Sequence, residues 1–269
     1  MSEIAIIMSV YRNDKLDYVK EALDSLYAQT KSVDIFIQQD GEISKKLEIY
    51  LEQEFSDKKI EYLGKREENR GLAYSLNELI TKIDNQYEYI ARMDADDISV
   101  TNRVELQYEF MENNKNIDVL GGYIKEFSTD MAYEKVVKYP LRHDEMYHFF
   151  AKRVPLAHVT AFFRRDYFAK AGVYRTTTIS NEDTLLWMDG FNNKCHFANL
   201  DNLLVKVRVS SHFFSRRGGF KKAWGDLKDR LLVIKILRYN SSSYFYAVAL
   251  FMVNIAPSKV KVFLYKRLR

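Results

Sequence analysis

The chain has 269 residues, 47% of them hydrophobic, with three prolines, ten glycines and a net charge of +4. That length and apolar content suit one large domain or a domain with an appendage, and so little Pro and Gly excludes long linkers and low-complexity disorder. The single cysteine, Cys195, excludes an intramolecular disulfide and a cysteine-based zinc site, which fits a reducing compartment.

The opening Met1-Ser2-Glu3-Ile4 lacks the basic n-region of a signal peptide, so the protein is expected to stay in the cytoplasm. Ile4–Val10 is a continuous apolar run, the pattern of a buried strand, and Leu16, Val19, Leu23 and Leu26 follow at helical spacing. Residues 33–39 read as a second strand ending at the turn Asp40-Gly41. A helix over 44–55, a short strand over 60–63, a helix over 71–83 and a strand over 89–93 continue the alternation. Strand–helix alternation of this kind predicts a parallel sheet with right-handed crossovers and helices on both faces. Beyond Asp97 the pattern loosens into a helix over 102–113, a strand over 119–123, and a hairpin of 124–127 with 136–139. A strand over 160–164, a helix over 182–191 and a late strand over 203–209 complete the body.

The tail differs in kind. From residue 206 onward there are 15 Lys/Arg against two Asp, a balance of +13 that leaves −9 on the rest of the chain. Residues 220–238 form a basic helix with an apolar seam of Leu227, Leu231, Ile234 and Leu237. The ten apolar residues 244–253 are too few to span a bilayer. Residues 258–269 mix Val260, Phe263, Leu264 and Leu268 with Lys259, Lys261, Lys266, Arg267 and Arg269; this segment suits either a membrane interface or a helix packed on the body.

The chemistry concentrates in Met93-Asp94-Ala95-Asp96-Asp97, three carboxylates at the C-terminal mouth of a buried strand. Such a cluster is costly unless a cation sits there, and open α/β sheets bind ligands at that edge. Asn102 and Glu105 are expected to form a capping box for the helix that follows. Ser9-Val10-Tyr11 and Asp40 fall on the same edge, and Gly71 opens a helix whose N-terminal amides can face an anion. A second carboxylate pair, Glu182-Asp183 after Asn181, reads equally as a helix start favoured by the helix dipole.

In this order and spacing, "IIMSVYRND", "QQDG", "NRGLAYSLN", "RMDADD", "NED" and "RVSSHFFSRRGG" resemble the family 2 glycosyltransferases over roughly residues 4–219. The resemblance implies an α/β fold of the GT-A type, a mostly parallel sheet flanked by helices. It divides the chain into a transferase domain, 1–219, and a basic, membrane-proximal helical extension, 220–269. It implies an inverting hexosyltransferase that uses a nucleotide sugar, with UDP-glucose or UDP-galactose the expected donor. The expected acceptor is GlcNAc or GalNAc on undecaprenyl diphosphate, in O-antigen or capsule synthesis, at the inner face of the cytoplasmic membrane.

Residue by residue, the resemblance gives Asp40 to the uracil ring and Ser9, Val10 and Tyr11 to the base pocket, with Asn69 and Gly71 beside the donor. Gln39 stands where relatives usually carry a second acid. Asp94 is expected to reach the ribose or the metal, and Asp96 to ligate Mn2+ or Mg2+ across the two phosphates; Asp97 suits the first turn of a helix as well as the sugar. Asp183 is expected to be the base, with Glu182 beside it. Arg216 and Arg217, with Arg208, are expected to meet the diphosphate, and His212 is a candidate metal ligand. Trp187 and His158 are acceptor-side candidates, each equally readable as a core residue.

No P-loop, dinucleotide-binding glycine motif or zincin motif is present. The rival from another class is a non-catalytic adaptor whose basic tail binds membrane or nucleic acid. It gives no role to Asp94, Asp96 and Asp183, and the enzyme reading expects no nucleic-acid partner.

Overall fold

The first strand, Ile4–Tyr11 (β1), is buried on both faces. Its alternate side chains divide two cores: Ile4, Ile6, Met8 and Val10 join one apolar cluster, Ala5 and Ile7 the other. A strand covered on both sides reads as an unbroken apolar run, which is why it was legible from sequence. The computed structural model describes residues 2–177, 181–210 and 220–255.

Four strands build the parallel half: β1, β2 (Asp34–Asp40), β3 (Tyr62–Arg66) and β4 (Tyr89–Arg92). Their spatial order is β3-β2-β1-β4, so strand order reverses between β1 and β4. The crevice beyond the C-terminal ends of such a pair is where open α/β sheets receive ligands. One face is covered by α1 (Leu16–Tyr27), α2 (Lys45–Ser56) and α4 (Arg103–Asn113), which supply Val19, Leu23, Leu47, Leu51, Val104 and Met111 to the first cluster. The other is covered by α3 (Leu72–Lys82), α5 (His143–Phe150) and α7 (Glu182–Asn192), through Leu76, Leu79, Met146, Phe150, Leu185 and Leu186.

The sheet continues in mixed sense through β8 (Phe162–Arg164), β6 (Val119–Phe127) and β9 (Phe197–Arg208) to β5 (Ile98–Ser99). β8 lies antiparallel to β4 and to β6, β6 and β9 are parallel, and β7 (Glu134–Val137) makes the expected hairpin with residues 124–127. The two-residue β5 pairs with β9 and so pins the acidic segment that precedes it. A short α6 (Tyr167–Ala171) completes the body.

Three expectations are revised. The strand expected at 60–63 begins at Tyr62, while Ile60 is buried in the core outside it. β6 runs unbroken through 119–127 instead of as two pieces, absorbing an irregularity at Tyr123 against β9. The capping box of Asn102 and Glu105 does not form: Glu105 accepts from the Thr30 hydroxyl at 2.7 Å, which ties α4 to the end of α1.

The C-terminal helices α8 (Phe220–Ile236) and α9 (Ser241–Ile255) form a hairpin docked on the body. Val233 and Leu237 enter the second core cluster, while Leu227 and Ile234 pack against Ala247 of α9. Polar ties reinforce the seam, with Tyr147 Oη donating to the Leu237 carbonyl at 2.5 Å and Arg230 donating to the Phe150 carbonyl at 2.6 Å. No helix among the described residues is long and apolar enough to cross a membrane.

Candidate active site

A cavity of about 320 Å³ opens at the reversal point between β1 and β4. Ser9, Tyr11, Asp40, Asn69, Gly71, Asp94 and Asp96, seven of the residues singled out from sequence, line it together with Asp14, Leu72 and Ala95. Val10 does not: strand alternation turns it into the first core cluster with Ile4, Ile6 and Met8, fully buried. Only the backbone of Val10 is left to face this cavity, whereas Ser9 and Tyr11 line it.

Asp40 closes β2 and organises the loop before α3. Its Oδ1 accepts from Arg66 at 2.5 Å and from the Arg70 amide at 2.8 Å, and its Oδ2 accepts from the Gly71 amide at 2.8 Å. Asn69 in turn donates to the Asp40 carbonyl. Arg66 is shared with Glu78 and Ser75 of α3. This carboxylate serves the protein first, leaving lone-pair capacity on Oδ2 alone for a ligand donor. Gly71 sits at φ 95, a backbone region that L side chains rarely adopt, so the residue that turns the chain into α3 is suited to glycine.

The acidic segment is held from both sides. Asp97 is buried, and its Oδ1 accepts from the Arg208 amide at 2.8 Å. Burial, then the Asp94 and Asp96 charges, push its carboxyl well above the usual carboxylate range. Asp97 thus joins the segment to β9 and is not free to meet a sugar. Arg208, expected at the diphosphate, is committed to Glu21 at 2.5 Å and to the Asp96 carbonyl at 3.0 Å, with its guanidinium over the Tyr18 ring. It is a pin, not a free clamp.

Asp94 and Asp96 remain turned to the cavity, and Asp14 joins them. Asp14 accepts from the Tyr11 amide at 2.8 Å, yet burial and the charges of Asp96 and Asp94 raise its carboxyl to about 7. Asp96 is raised to about 6 by burial and by Asp94. Three crowded carboxylates are hard oxygen donors that fit Mg2+ or Mn2+. Among the described residues no three His, Cys, Asp or Glu side chains close on one point, so the set fits an ion that takes its other ligands from phosphate and water. His212, Arg216 and Arg217 lie outside the described residues.

The Asp14 shift has a direct consequence for stability. A carboxyl whose folded pKa lies above its unfolded value costs stability once it ionises, so the cost grows as pH rises from about 4 and is complete above about 7. Without divalent metal, Asp14→Asn is expected to melt at a higher temperature than the parent at pH 8. The two curves should converge near pH 4; a constant offset across the range contradicts the assignment.

Arg92, which sequence reasoning passed over, is the buried hub. It is ion-paired to Asp94 and faces Glu182 and Asp97 as well. Beneath it, buried Arg103 donates to the Arg92 carbonyl at 2.8 Å, its own pKa lowered to about 9 by burial and by Arg92. Arg92 thus connects the cavity to the second carboxylate pair. Glu182 is raised by burial, then by Asp183. Asp183 is raised by burial, against the lowering effect of the Thr184 amide, which donates to its Oδ1 at 2.6 Å, and of Arg92 and Arg230. Asn181 does not cap α7 with its side chain; its amide donates to Asp226 at 2.9 Å and to Asp229 at 2.8 Å.

The acceptor-side aromatic expectations change. Trp187 is fully buried, packed on Phe163, Phe197 and His158, so it cannot stack on a sugar. The α7 face that carries it is turned into the second core cluster. His158 shares a 2.8 Å hydrogen bond with Tyr174, and burial followed by the Arg92 charge holds its imidazole well below the usual pKa. His158 is half-buried and stands beside the Arg92 hub.

The profile of the family described as "Glycosyl transferase family 2" matches residues 5–172. The chain belongs to this family. A Haemophilus influenzae protein named an uncharacterized glycosyltransferase is 33% identical over 226 residues, covering 82% of this chain and 81% of its own length. The Escherichia coli UDP-Gal:alpha-D-GlcNAc-diphosphoundecaprenol beta-1,3-galactosyltransferase is 26% identical, covering 98% of this chain and 96% of its own. Among solved structures, the mannosyltransferase PcManGT of Pyrobaculum calidifontis, in complex with GDP-Man and Mn2+, superposes with a TM-score of 0.65. It is 13% identical, with 99% of this chain and 79% of that chain covered, a likeness of fold. The glycosyltransferase has the GT-A architecture expected from its sequence.

Proposed function

We propose that the enzyme transfers a hexose from UDP-glucose or UDP-galactose to a lipid-linked N-acetylhexosamine, with inversion to a β-linkage. The observation that carries the reading is the placement of two acidic sites on either side of Arg92, one lining the reversal-point cavity and one at the start of α7. Ser9, Tyr11 and Asn69 hold the nucleoside end of the donor, and the free lone pair of Asp40 receives a ring N–H. Asp94 and Asp96 would hold Mn2+ or Mg2+, which when bound would supply positive charge against the diphosphate. Asp183 takes the proton of the acceptor hydroxyl as that oxygen attacks the anomeric carbon, the C–O bond to the diphosphate breaks on the opposite face, and UDP leaves. Burial raises Asp183 toward the operating pH, which makes it a better base than a solvated carboxylate. The E. coli relative, whose name gives UDP-Gal as donor and a GlcNAc-diphosphoundecaprenol acceptor, supports the substrate class.

A panel of UDP-, GDP- and dTDP-sugars tests the donor. Turnover is expected with UDP-glucose or UDP-galactose, and turnover confined to a GDP-sugar overturns the assignment. The reading places the enzyme peripherally on the inner face of the cytoplasmic membrane, through residues 220–269. Each cation near an anionic surface contributes about 1 kcal/mol, and the five in 258–269 lie outside the described residues. Deleting 258–269 is expected to release the protein from anionic vesicles in a salt-sensitive way, with activity on a soluble acceptor retained. Joint loss of vesicle binding, of activity on the soluble acceptor and of thermal stability marks the segment as a brace instead.

A further inference from the structure

Asp183 lines a second cavity, of about 410 Å³, closed on its far side by the α8–α9 hairpin. Its two walls differ. One is polar, with Asn181, Asp226 and Asp229 joined through the Asn181 amide, and Arg230 beside Asp183. The other is apolar: Leu227 and Ala247 are buried, while Leu250 is partly exposed. Phe251 continues this wall outward, with its ring 6.0 Å from Phe220 and 5.9 Å from Trp224, which are 66% and 45% exposed. The base therefore faces a space that is hydrogen-bonding on one side and leads along the other to exposed aromatic surface.

Resting on the acceptor-side reading of Asp183, we propose that the α8–α9 hairpin forms an apolar subsite for the acceptor's aglycone. The polar wall receives the sugar hydroxyls, and Leu250 and Phe251 receive the first part of an alkyl or isoprenoid chain. Carboxylates and an amide suit hydroxyl groups, each of which both donates and accepts. A sugar alone gives no use to the apolar wall, whereas an apolar chain carried on that sugar, directly or through a diphosphate, follows it out of the cavity, and Lys222 and Arg230 are among the residues lining the same space. The volume falls within the roughly 300–1,000 Å³ of small-molecule sites. The occupant is thus an amphiphilic acceptor, recognised in water as well as at a bilayer.

The test uses the full-length enzyme with UDP-galactose or UDP-glucose, no vesicles, and methyl and octyl glycosides of N-acetylglucosamine below the micelle concentration. Burying only about two methylenes corresponds to about ten-fold. The octyl glycoside should therefore show a kcat/KM about ten-fold or more above the methyl glycoside, expressed in KM. Leu250→Ser, at a partly exposed position, should bring that ratio toward one. Equal kcat/KM for the two acceptors in the parent, or a Leu250→Ser loss that leaves the ratio intact, overturns the proposal. Binding is read independently of transfer through Trp224, because Trp187 is sealed in the core. Octyl glycoside should shift the emission saturably to the blue, at higher concentration in Leu250→Ser, and methyl glycoside should not. That shift without turnover supports the subsite and counts against the hexosyl-transfer reading; absence of the shift, with equal kinetics, overturns the subsite.

Discussion

Asp183→Asn is expected to lower transfer by roughly 10²–10⁴-fold, the usual contribution of a general base. The substitution keeps the side-chain shape, and the asparagine Oδ1 can still accept from the Thr184 amide, so the start of α7 should hold. What is lost is the ability to take a proton from the attacking hydroxyl. UDP affinity should change little, because Asp183 lines the cavity under α8 and α9 and not the one at the β1–β4 reversal. The decisive comparison is single-turnover transfer against UDP binding on one preparation. Collapse of UDP binding with turnover per bound donor preserved assigns Asp183 to the donor side instead. The pH profile adds a sign. Burial raises Asp183, so activity should climb with pH as it deprotonates, at a higher pH than a solvated aspartate would give.

The parts legible from sequence are those where one local pattern decides the outcome. β1 and the Tyr89-Ile90-Ala91 part of β4 are short apolar runs buried on both faces, β2 carries the apolar triplet Ile35-Phe36-Ile37 ahead of the Asp40-Gly41 turn, and α1 shows its Val19, Leu23 and Leu26 stripe plainly. The first half of β9 was missed because Asp201 and Asn202 interrupt its apolar alternation and are exposed. α5 was missed because its two fully buried side chains, Met146 and Phe150, sit among polar and half-buried neighbours. The candidate site divides in the same way. Asp94, Asp96, Asp40 and Gly71 stand at strand and helix ends, where position alone suggests a role. Asp14 and Arg92 do not. Asp14 matters because the chain after β1 folds back to bring its carboxyl to Asp94 and Asp96, and Arg92 because β4 delivers it between two acidic groups distant in sequence. Trp187 is the reverse case: a residue one turn from Asp183 in sequence lies on the core side of its helix.

Asp96→Ala is expected to abolish Mn2+-dependent strengthening of UDP binding and to lower transfer by several kcal/mol of transition-state stabilisation, the scale of one Lewis-acid ion on a leaving diphosphate. Fold stability should not fall, and without metal it should rise. Asp96 ionises only against burial and the Asp94 charge, which raise it to about 6, so above that pH the ionised form costs stability that alanine does not. The variant is therefore predicted to melt higher than the parent in EDTA at pH 8 and to gain less from added Mn2+. Those opposite signs separate a ligand from a structural carboxylate such as Asp97, whose loss leaves the Arg208 amide without its acceptor and loosens the tie to β9. Asp94 is the harder position to test, since removing it also leaves buried Arg92 without its ion-pair partner, a change that costs about 3–5 kcal/mol by itself. Among the described residues Asp96 forms no ion pair, and Arg92 and Arg208 act on it only as neighbouring charges. Full turnover of the parent in excess EDTA, or of Asp96→Ala in Mn2+, sinks the metal assignment.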